Sequence, residues 1–127
     1  MDGILTMEGF DKSLAEGVML LTPFNADSKD PRTVAFVEKY QKIHGEIPNQ
    51  FAADGYDCVY SIVAALENAK ATPDMSAEAL NDILIAQFTT MKFDGLTGDA
   101  MTWDASGAVT KDPKGMIIKD GAYVGLD

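Results

Sequence analysis

The chain contains one apolar run typical of a buried strand, at residues 18–22, and three helical patterns follow it. Pro23 ends this run, and the apolar texture predicts a strand covered on both faces, as in a parallel sheet. Helices in α/β proteins pack on the faces of a sheet, and a single strand offers too small a sheet surface for three helices. We therefore expect an α/β fold with an incomplete doubly wound sheet, whose partner strands lie elsewhere, and with C-terminal β-hairpins.

Three segments show the signals that begin and end helices. Asp30 with Pro31 predicts a capped first turn, and Gly45 predicts the end of the same helix. Asn49 and Ser76 are the predicted caps of the second and third helices. Apolar residues recur through the second helix at steps of three and four with few polar residues between them. We expect most of this second helix to be covered.

Two residues inside the second helix are unusual. Gly55 costs roughly 1 kcal/mol relative to Ala within a helix, which favours close approach of a neighbouring element over ligand access. Cys58 is the single cysteine of the chain, so an internal disulfide is excluded. Its helical neighbours predict a small buried side chain rather than a reactive thiol.

The texture changes after residue 90. Short strand-like segments at 92–93, 99–103, 116–119 and 122–126 are separated by glycine-rich turns. Asp120 and Gly121 lie between the last two, and this pair predicts a type I′ hairpin, in which both turn residues have positive φ. Residues 104–107 predict another tight turn.

The charge excludes some partners. The chain has 20 acidic and 10 basic residues and a net charge of −10, which would repel nucleic acid and anionic lipid. This acidity favours solubility. No apolar run approaches the roughly 20 residues that span a bilayer.

Catalytic patterns are sparse. The single histidine, His44, lies near the end of a helix, where a capping or solvated role suits a cation. One histidine and one cysteine do not supply the usual zinc ligands, and no nucleophile elbow, phosphate loop or dinucleotide fingerprint is present. Asp94, Asp99 and Asp104 are interpreted as turn and strand-end residues. We expect no catalytic residue, metal site or cofactor, although a paired-carboxylate site stays open.

Phe51 is the best candidate for ligand contact, because it lies at a helix entrance just after residues 48–50 (PNQ). A helix N-terminus beside an aromatic ring can line a ligand cleft, and its dipole favours a carboxylate. From these residues alone, a packed core phenylalanine is the favoured interpretation, and ligand contact is the alternative.

The order of the motifs resembles the last third of branched-chain amino acid-type (leucine/isoleucine/valine-binding) periplasmic substrate-binding proteins of ABC transporters. The matching segments are residues 15–18 (AEGV), 22–24 (TPF), 36–40 (FVEKY), 45–48 (GEIP), 51–59 (FAADGYDCV), 93–98 (FDGLTG), 103–107 (WDASG) and 119–121 (KDG). The resemblance implies a partial type I periplasmic binding protein fold, in which two lobes joined by crossovers enclose the ligand.

The resemblance also implies domain boundaries and site residues. Residues 1–22 would end the second lobe, residues 23–113 would form part of the first lobe with three helices and a β-hairpin, and residues 114–127 would be the C-terminal hairpin of the second lobe. Phe51 matches a position that packs on the ligand side chain. Asp2 and Gly3 lie near the loop that supplies an acidic group to the ligand ammonium. The resemblance also implies that the serine and threonine groups that hold the ligand carboxylate lie in the N-terminal half of the proteins of this family.

The function that the resemblance implies is an extracellular receptor, not an enzyme, that delivers an amino acid or related small polar ligand to an ABC importer. Its partners would be the small ligand and the ABC permease, and its location periplasmic or extracellular and lipid-anchored. Alternatives are a ligand-sensing domain on the same scaffold and a small carboxylate-based enzyme. Sheet edges left open in this chain favour a homodimer through strand exchange.

Overall fold

The computed structural model describes residues 3–126 and divides the chain into two compact units. Unit 1 comprises Met1–Ala53 and Asp112–Asp127, and unit 2 comprises Asp54–Lys111. Short 3-10 helices at Ile4–Thr6 and Lys12–Ala15 precede the regular elements, which are β1 (Met19–Thr22), α1 (Pro31–His44), α2 (Gln50–Asn68), α3 (Ala77–Phe88), β2 (Lys114–Lys119) and β3 (Ala122–Gly125).

Unit 1 contains a three-stranded sheet in the order β1-β2-β3, and both strand pairs are antiparallel. The register pairs Thr22 with Lys114 at one end of the β1–β2 ladder. Asp120 and Gly121 join β2 to β3 with φ of 52° and 71°, which confirms the predicted type I′ hairpin. These two positive φ values match the twist of the strands that they connect.

The prediction that β1 is a parallel strand covered on both faces is wrong within residues 3–126. The strand pairs antiparallel to β2, and its outward side chains Met19 and Leu21 are 67% and 74% exposed. Leu20 points to the other face, which packs against the core of unit 1. That core comprises Leu5, Ala15 and Ile118, with Ile4, Phe10, Val18, Leu20 and Tyr123 packed around it. The described residues cover only this one face.

Helix α1 has the predicted ends. The Asp30 carboxylate accepts hydrogen bonds from the N–H groups of Arg32 and Thr33 at 2.8 and 3.3 Å, and Pro31 occupies the first turn. Gly45 ends the helix with φ of 77°. The hydrogen bonds from the Arg32 side chain are the main cause of the lowered pKa of Asp30; desolvation opposes them, and the backbone hydrogen bonds lower the pKa further.

A chain of aromatic contacts joins the exit of β1 to α1. Phe24 is buried and meets Phe36 edge to face with the ring centroids 5.9 Å apart. Tyr40 lies 5.8 Å from Phe36 and 4.4 Å from His44. His44 is exposed at the C-terminal end of α1, in agreement with a solvated role. These contacts fix the segment after β1 against one face of α1.

Helix α2 is not largely covered, contrary to the prediction. The residues that it buries are small or polar, namely Ala53, Asp57, Ser61 and Ala65. Most of its large apolar residues are exposed, among them Val59 at 60% and Phe51 at 64%. Cys58 is also exposed, so its predicted burial is wrong. A Cβ on Gly55 would meet nothing within 4 Å, so no described neighbour approaches closely there.

Unit 2 is completed by α3 and an irregular segment. Ser76 caps α3 as predicted, since its hydroxyl accepts the N–H of Ala79 at 3.2 Å. The predicted strands at 92–93 and 99–103 are reduced to two isolated bridges, Phe93 to Met101 and Trp103 to Val109. Within residues 54–111 these bridges are the only β-pairing that the structure shows.

Candidate ligand-binding site

The first turn of α2 presents Phe51 to solvent. Asn49 caps the helix as predicted, because its side-chain oxygen accepts the N–H of Ala52 at 3.1 Å. Gln50 and Phe51 are the first two helical residues. The Phe51 side chain is 64% exposed, so it packs into no core that residues 3–126 form. The ring therefore stands open beside a helix N-terminus.

A buried hydroxyl ties this turn to the end of β1. Thr22 is 3% exposed, and its Oγ1 accepts the N–H of Phe24 at 3.2 Å. The same Oγ1 lies 2.9 Å from the Phe24 carbonyl oxygen and 2.9 Å from Oε1 of Gln50. Because a hydroxyl has one hydrogen, it donates to one of these two oxygens at a time. The contact couples the direction in which the chain leaves β1 to the start of α2, and hence to Phe51.

This arrangement suits an amphipathic carboxylate. The exposed ring offers apolar contact to a ligand side chain, and the positive end of the α2 dipole favours a negative group. The geometry offers binding rather than reaction, because the side chains of Thr22, Gln50 and Phe51 include no titratable group. Contact between Phe51 and a ligand stays a prediction.

Of the other two predicted ligand-binding residues, Asp2 and Gly3, the structure describes only Gly3. Asp2 lies outside the described residues. Gly3 has φ of 110° and precedes the 3-10 helix Ile4–Thr6. Its carbonyl oxygen accepts from the N–H and hydroxyl of Thr6 at 3.0 and 2.9 Å, so its hydrogen bonds lead to Thr6 rather than to Phe51. The structure thus brings Thr22 and α2 together but shows no such link for Gly3.

The sequence interpretation missed Asp57, which organises unit 2. Its carboxylate is 4% exposed and accepts the N–H of Leu96 at 2.8 Å and the N–H and hydroxyl of Thr97 at 2.9 and 2.6 Å. Gly95 has no room for a side chain, because a Cβ there would collide with the Asp57 carboxylate. The motifs at 51–59 and 93–98 therefore meet at this carboxylate. The signal was present as a lone acidic residue in the apolar stretch of α2.

Asp57 has a structural role. A buried carboxylate normally requires partners, and three donors surround this one. Its hydrogen bonds hold the turn at 95–98 against α2. We therefore call it a positioning residue.

Three acidic residues of the late segment were predicted as turn and strand-end residues, and the side chains of two of them, Asp94 and Asp104, hold turns. Oδ1 of Asp94 accepts the N–H of Ala100 at 2.7 Å. Oδ1 of Asp104 accepts from the hydroxyl and N–H of Ser106 at 2.6 and 2.8 Å, and from Ala108 at 3.0 Å. The Ser106 hydroxyl, followed by the backbone donors, lowers the pKa of Asp104. A lowered pKa is the opposite of what a general acid needs.

Two features of the described residues bear on other classes of site. Within residues 3–126, no group of three or more histidine, cysteine, aspartate or glutamate side chains is arranged to hold a metal ion. None of the helices in the same residues combines the length and the apolar character needed to cross a bilayer.

A sequence model of the periplasmic binding protein family matches residues 4–121. The chain belongs to this family, which confirms the resemblance drawn from the ordered motifs. The structural likenesses are to type I periplasmic binding proteins, so the α/β, partial type I fold is also confirmed. The family consists of transporter substrate-binding proteins, which are not enzymes and work in the periplasm or outside the cell. No curated protein matches the sequence.

Solved structures give the same class. A branched-chain amino acid ABC transporter protein from Rhodospirillum rubrum is 34% identical, with a TM-score of 0.66 over 88% of this chain and 31% of that one. An ABC transporter substrate-binding protein from Desulfitobacterium hafniense, in complex with Leu, is 26% identical, with a TM-score of 0.74 over 90% and 32%. A periplasmic ligand-binding protein of a branched-chain amino acid ABC transporter from Burkholderia xenovorans LB400 is 19% identical, with a TM-score of 0.79 over 100% and 34%. This chain therefore spans about a third of each of these proteins.

Proposed function

We propose that this chain forms part of an extracellular solute-binding receptor that delivers an amino acid or a related small polar ligand to an ABC importer. Family membership supports the assignment as a solute-binding receptor, and the likeness to a protein solved in complex with Leu supports an amino acid as the ligand. The observation that carries the proposal is the exposed Phe51 ring at the start of α2, which the Thr22–Gln50 contact ties to the exit of β1. A complete receptor built on this chain would use that ring as one wall of its cleft.

The lobe boundaries are part of the proposal. Residues 1–22 and 114–127 are assigned to the second lobe, and residues 23–113 to the first. The pairing of Thr22 with Lys114 supports this assignment, because the two points at which the chain would cross between lobes are neighbours in the β1–β2 ladder. Two adjacent crossovers can bend together as a hinge, and a ligand that contacts both lobes favours the closed state.

The proposed ligand contacts divide by chemistry. Phe51 would take the apolar side chain of the ligand, and the α2 N-terminus would favour its carboxylate. Asp2 would pair with the ligand ammonium, and Gly3 beside it would allow close approach. The ABC permease is the proposed membrane partner, with the receptor held at the cell surface by a lipid anchor. A sensor on the same scaffold would use the same contacts.

Calorimetric titration of a complete receptor that contains this chain tests the proposal. Leucine, valine and glutamate are the amino acid ligands, and isovalerate tests the need for an ammonium group. Phe51→Ala should weaken binding of the preferred amino acid by roughly ten- to a hundredfold, because contact with a buried Phe contributes about 1.5–3 kcal/mol. Ile43→Ala is the matched control, since Ile43 is an exposed apolar residue on α1. A receptor that binds none of these ligands would remove the proposal.

A further inference from the structure

Gly125 on β3 is a glycine that its own backbone conformation does not demand. Its φ is not positive, unlike that of Gly121 in the preceding turn. The space around it is the constraint, because a Cβ here would collide with Nδ2 of Asn25 and lie 3.2 Å from Oδ1 of Asp27. Glycine inside a strand weakens the strand and often marks close approach of another part of the chain. Close approach by Asn25 and Asp27 is therefore the physical reason for a glycine at this position.

The residues that approach Gly125 belong to the segment at the end of β1, residues 22–27, which we call the exit segment. Asn25 is 3% exposed, and its Oδ1 accepts the N–H of Asp27 at 3.2 Å. The Asp27 carboxylate in turn accepts the N–H of Gly125 at 3.3 Å. The Asn25 amide limits how closely β3 can approach the exit segment, and the hydrogen bond to Asp27 opposes movement away from it. We call these two interactions the Gly125 contact.

The exit segment also contacts the turn that carries Phe51. Its first residue, Thr22, reaches Gln50 through its buried hydroxyl. In the proposed lobe assignment, residues 23–113 belong to the first lobe and residues 114–127 to the second. The Gly125 contact therefore joins the two proposed lobes beside a crossover, on the same short segment that is linked to Phe51.

We propose that Asn25, Asp27 and Gly125 are positioning residues that set the angle between the two lobes of the receptor before ligand binds. The inference rests on the proposed function, because it takes the lobes and the ligand from it. A receptor whose lobes are already held at the binding angle loses less free energy on closure, so its apparent affinity is higher. Without the contact, the ligand has to select that angle from a broader population.

Spin-label distance measurements on a complete receptor that contains this chain test the proposal without ligand. The labels are attached to Leu14→Cys and Ile43→Cys in a background without Cys58 or other cysteines. These two positions are 75% and 65% exposed and are assigned to different lobes. Gly125→Ala should broaden the distribution of distances and move its mean by more than about 2 Å, because a small displacement beside a hinge is amplified along the lobes. Calorimetry should show at least about fivefold weaker binding of the preferred amino acid.

Gly115→Ala is the matched control for Gly125→Ala. Gly115 lies on the adjacent strand β2, and a Cβ there would approach Leu126 at 3.3 Å. Both residues belong to the segment assigned to the second lobe, so this substitution strains the sheet without touching the exit segment. It should lower the urea midpoint of the receptor and leave the distance distribution and the affinity unchanged.

Two further variants separate the collision from general damage to the sheet. In an Asn25→Ala background the new methyl group has room, so Gly125→Ala should move the mean distance by less than half as much. Asp27→Ala removes the acceptor of the Gly125 N–H without adding bulk, and Asp27 is exposed, so this variant is expected to fold. It should broaden the distance distribution of the receptor. In the 127-residue chain, nuclear magnetic resonance should show at least about fivefold faster exchange of the Gly125 amide.

Three results would overturn the inference. A distance distribution that both Gly125→Ala and Asp27→Ala leave unchanged shows that the contact does not set the lobe angle. An equal change in Gly115→Ala makes the effect one of sheet stability alone. Tighter ligand binding by Gly125→Ala shows that the contact opposes the binding angle. The distances and the amide exchange need no ligand, so a receptor that binds no amino acid would remove the ligand proposal and leave these measurements to decide the role of the contact.

Discussion

Each of the two units is stabilised internally by a different kind of interaction. Unit 1 has a three-stranded antiparallel sheet whose backbone hydrogen bonds run along two ladders, with an apolar core against one face. Unit 2 has two isolated bridges, and hydrogen bonds to the carboxylate of Asp57 hold the turn at 95–98 against α2. The stability of unit 1 is distributed over many ladder hydrogen bonds, whereas the position of the late segment in unit 2 depends on one carboxylate. Unit 2 should therefore be far more sensitive to one substitution.

This contrast also separates the possible roles of the units. The candidate ligand contact at Phe51 lies in unit 1, on the turn that Thr22 ties to β1. The buried carboxylate of Asp57 and the turn at 95–98 that it holds lie in unit 2. The unit with the strand ladders carries the proposed small-molecule contact, and the unit held by Asp57 does not. Substitutions in one unit should leave the other largely unchanged.

Asp57→Ala should have the largest effect. It leaves the N–H of Leu96 and the N–H and hydroxyl of Thr97 buried without their acceptor. At about 1 kcal/mol or more for each unsatisfied group, the loss is about 3 kcal/mol in the free energy of unfolding of unit 2. Hydrogen exchange with mass spectrometry should show lost protection at 95–98, while the β1–β2 ladder of unit 1 keeps its protection.

The matched control for Asp57→Ala is Asp54→Ala on the same helix. Asp54 pairs with Lys111 at 2.8 Å, but its side chain is 36% exposed, so this substitution should cost less than about 1 kcal/mol. If both variants lose the same free energy of unfolding, or if both units lose protection equally, then Asp57 does not stabilise the turn at 95–98 locally.

Two glycines of unit 2 should respond with opposite signs. Gly95→Ala drives a methyl group into the Asp57 carboxylate and should destabilise the chain by about 1–3 kcal/mol. Gly55→Ala lies on α2 with nothing within 4 Å of the new methyl group, and it should stabilise the chain by about 0.5–1 kcal/mol. Urea denaturation of both variants measures the two changes. A stabilising Gly95→Ala would mean that the carboxylate is not held against this turn.

Local signals predicted much of the fold. The caps at Asp30, Asn49 and Ser76 and the turn at Asp120 and Gly121 depend on neighbours within a few residues, and all four were confirmed. Such features are readable because the partner groups are near in sequence. The ordered motifs added the family, which no local rule supplies.

Long-range features were not readable in the same way. Asp57 meets partners 39 and 40 residues away, so its environment could not be inferred from its neighbours. The apolar spacing of α2 predicted that most of the helix is covered, which is wrong among the described residues, because spacing carries no information about which chain segment would cover a face. Cys58 and Val59 were expected to be covered for this reason, and both are exposed among the described residues. The candidate site at Phe51 came from the motif match together with the position of this residue at the start of a helix.

The smallest predicted effect lies in unit 1, at the start of α1. Asp30→Ala removes the acceptor for the N–H groups of Arg32 and Thr33 and should cost about 1 kcal/mol. The pKa of Asp30 is lowered in the folded state, so its contribution is present above the unfolded pKa and is lost as pH falls through the folded pKa. Urea denaturation of the original chain and the variant should therefore differ at pH 7 and converge as the pH falls below the folded pKa. An unchanged difference at low pH would show that the charge of Asp30 does not stabilise this cap.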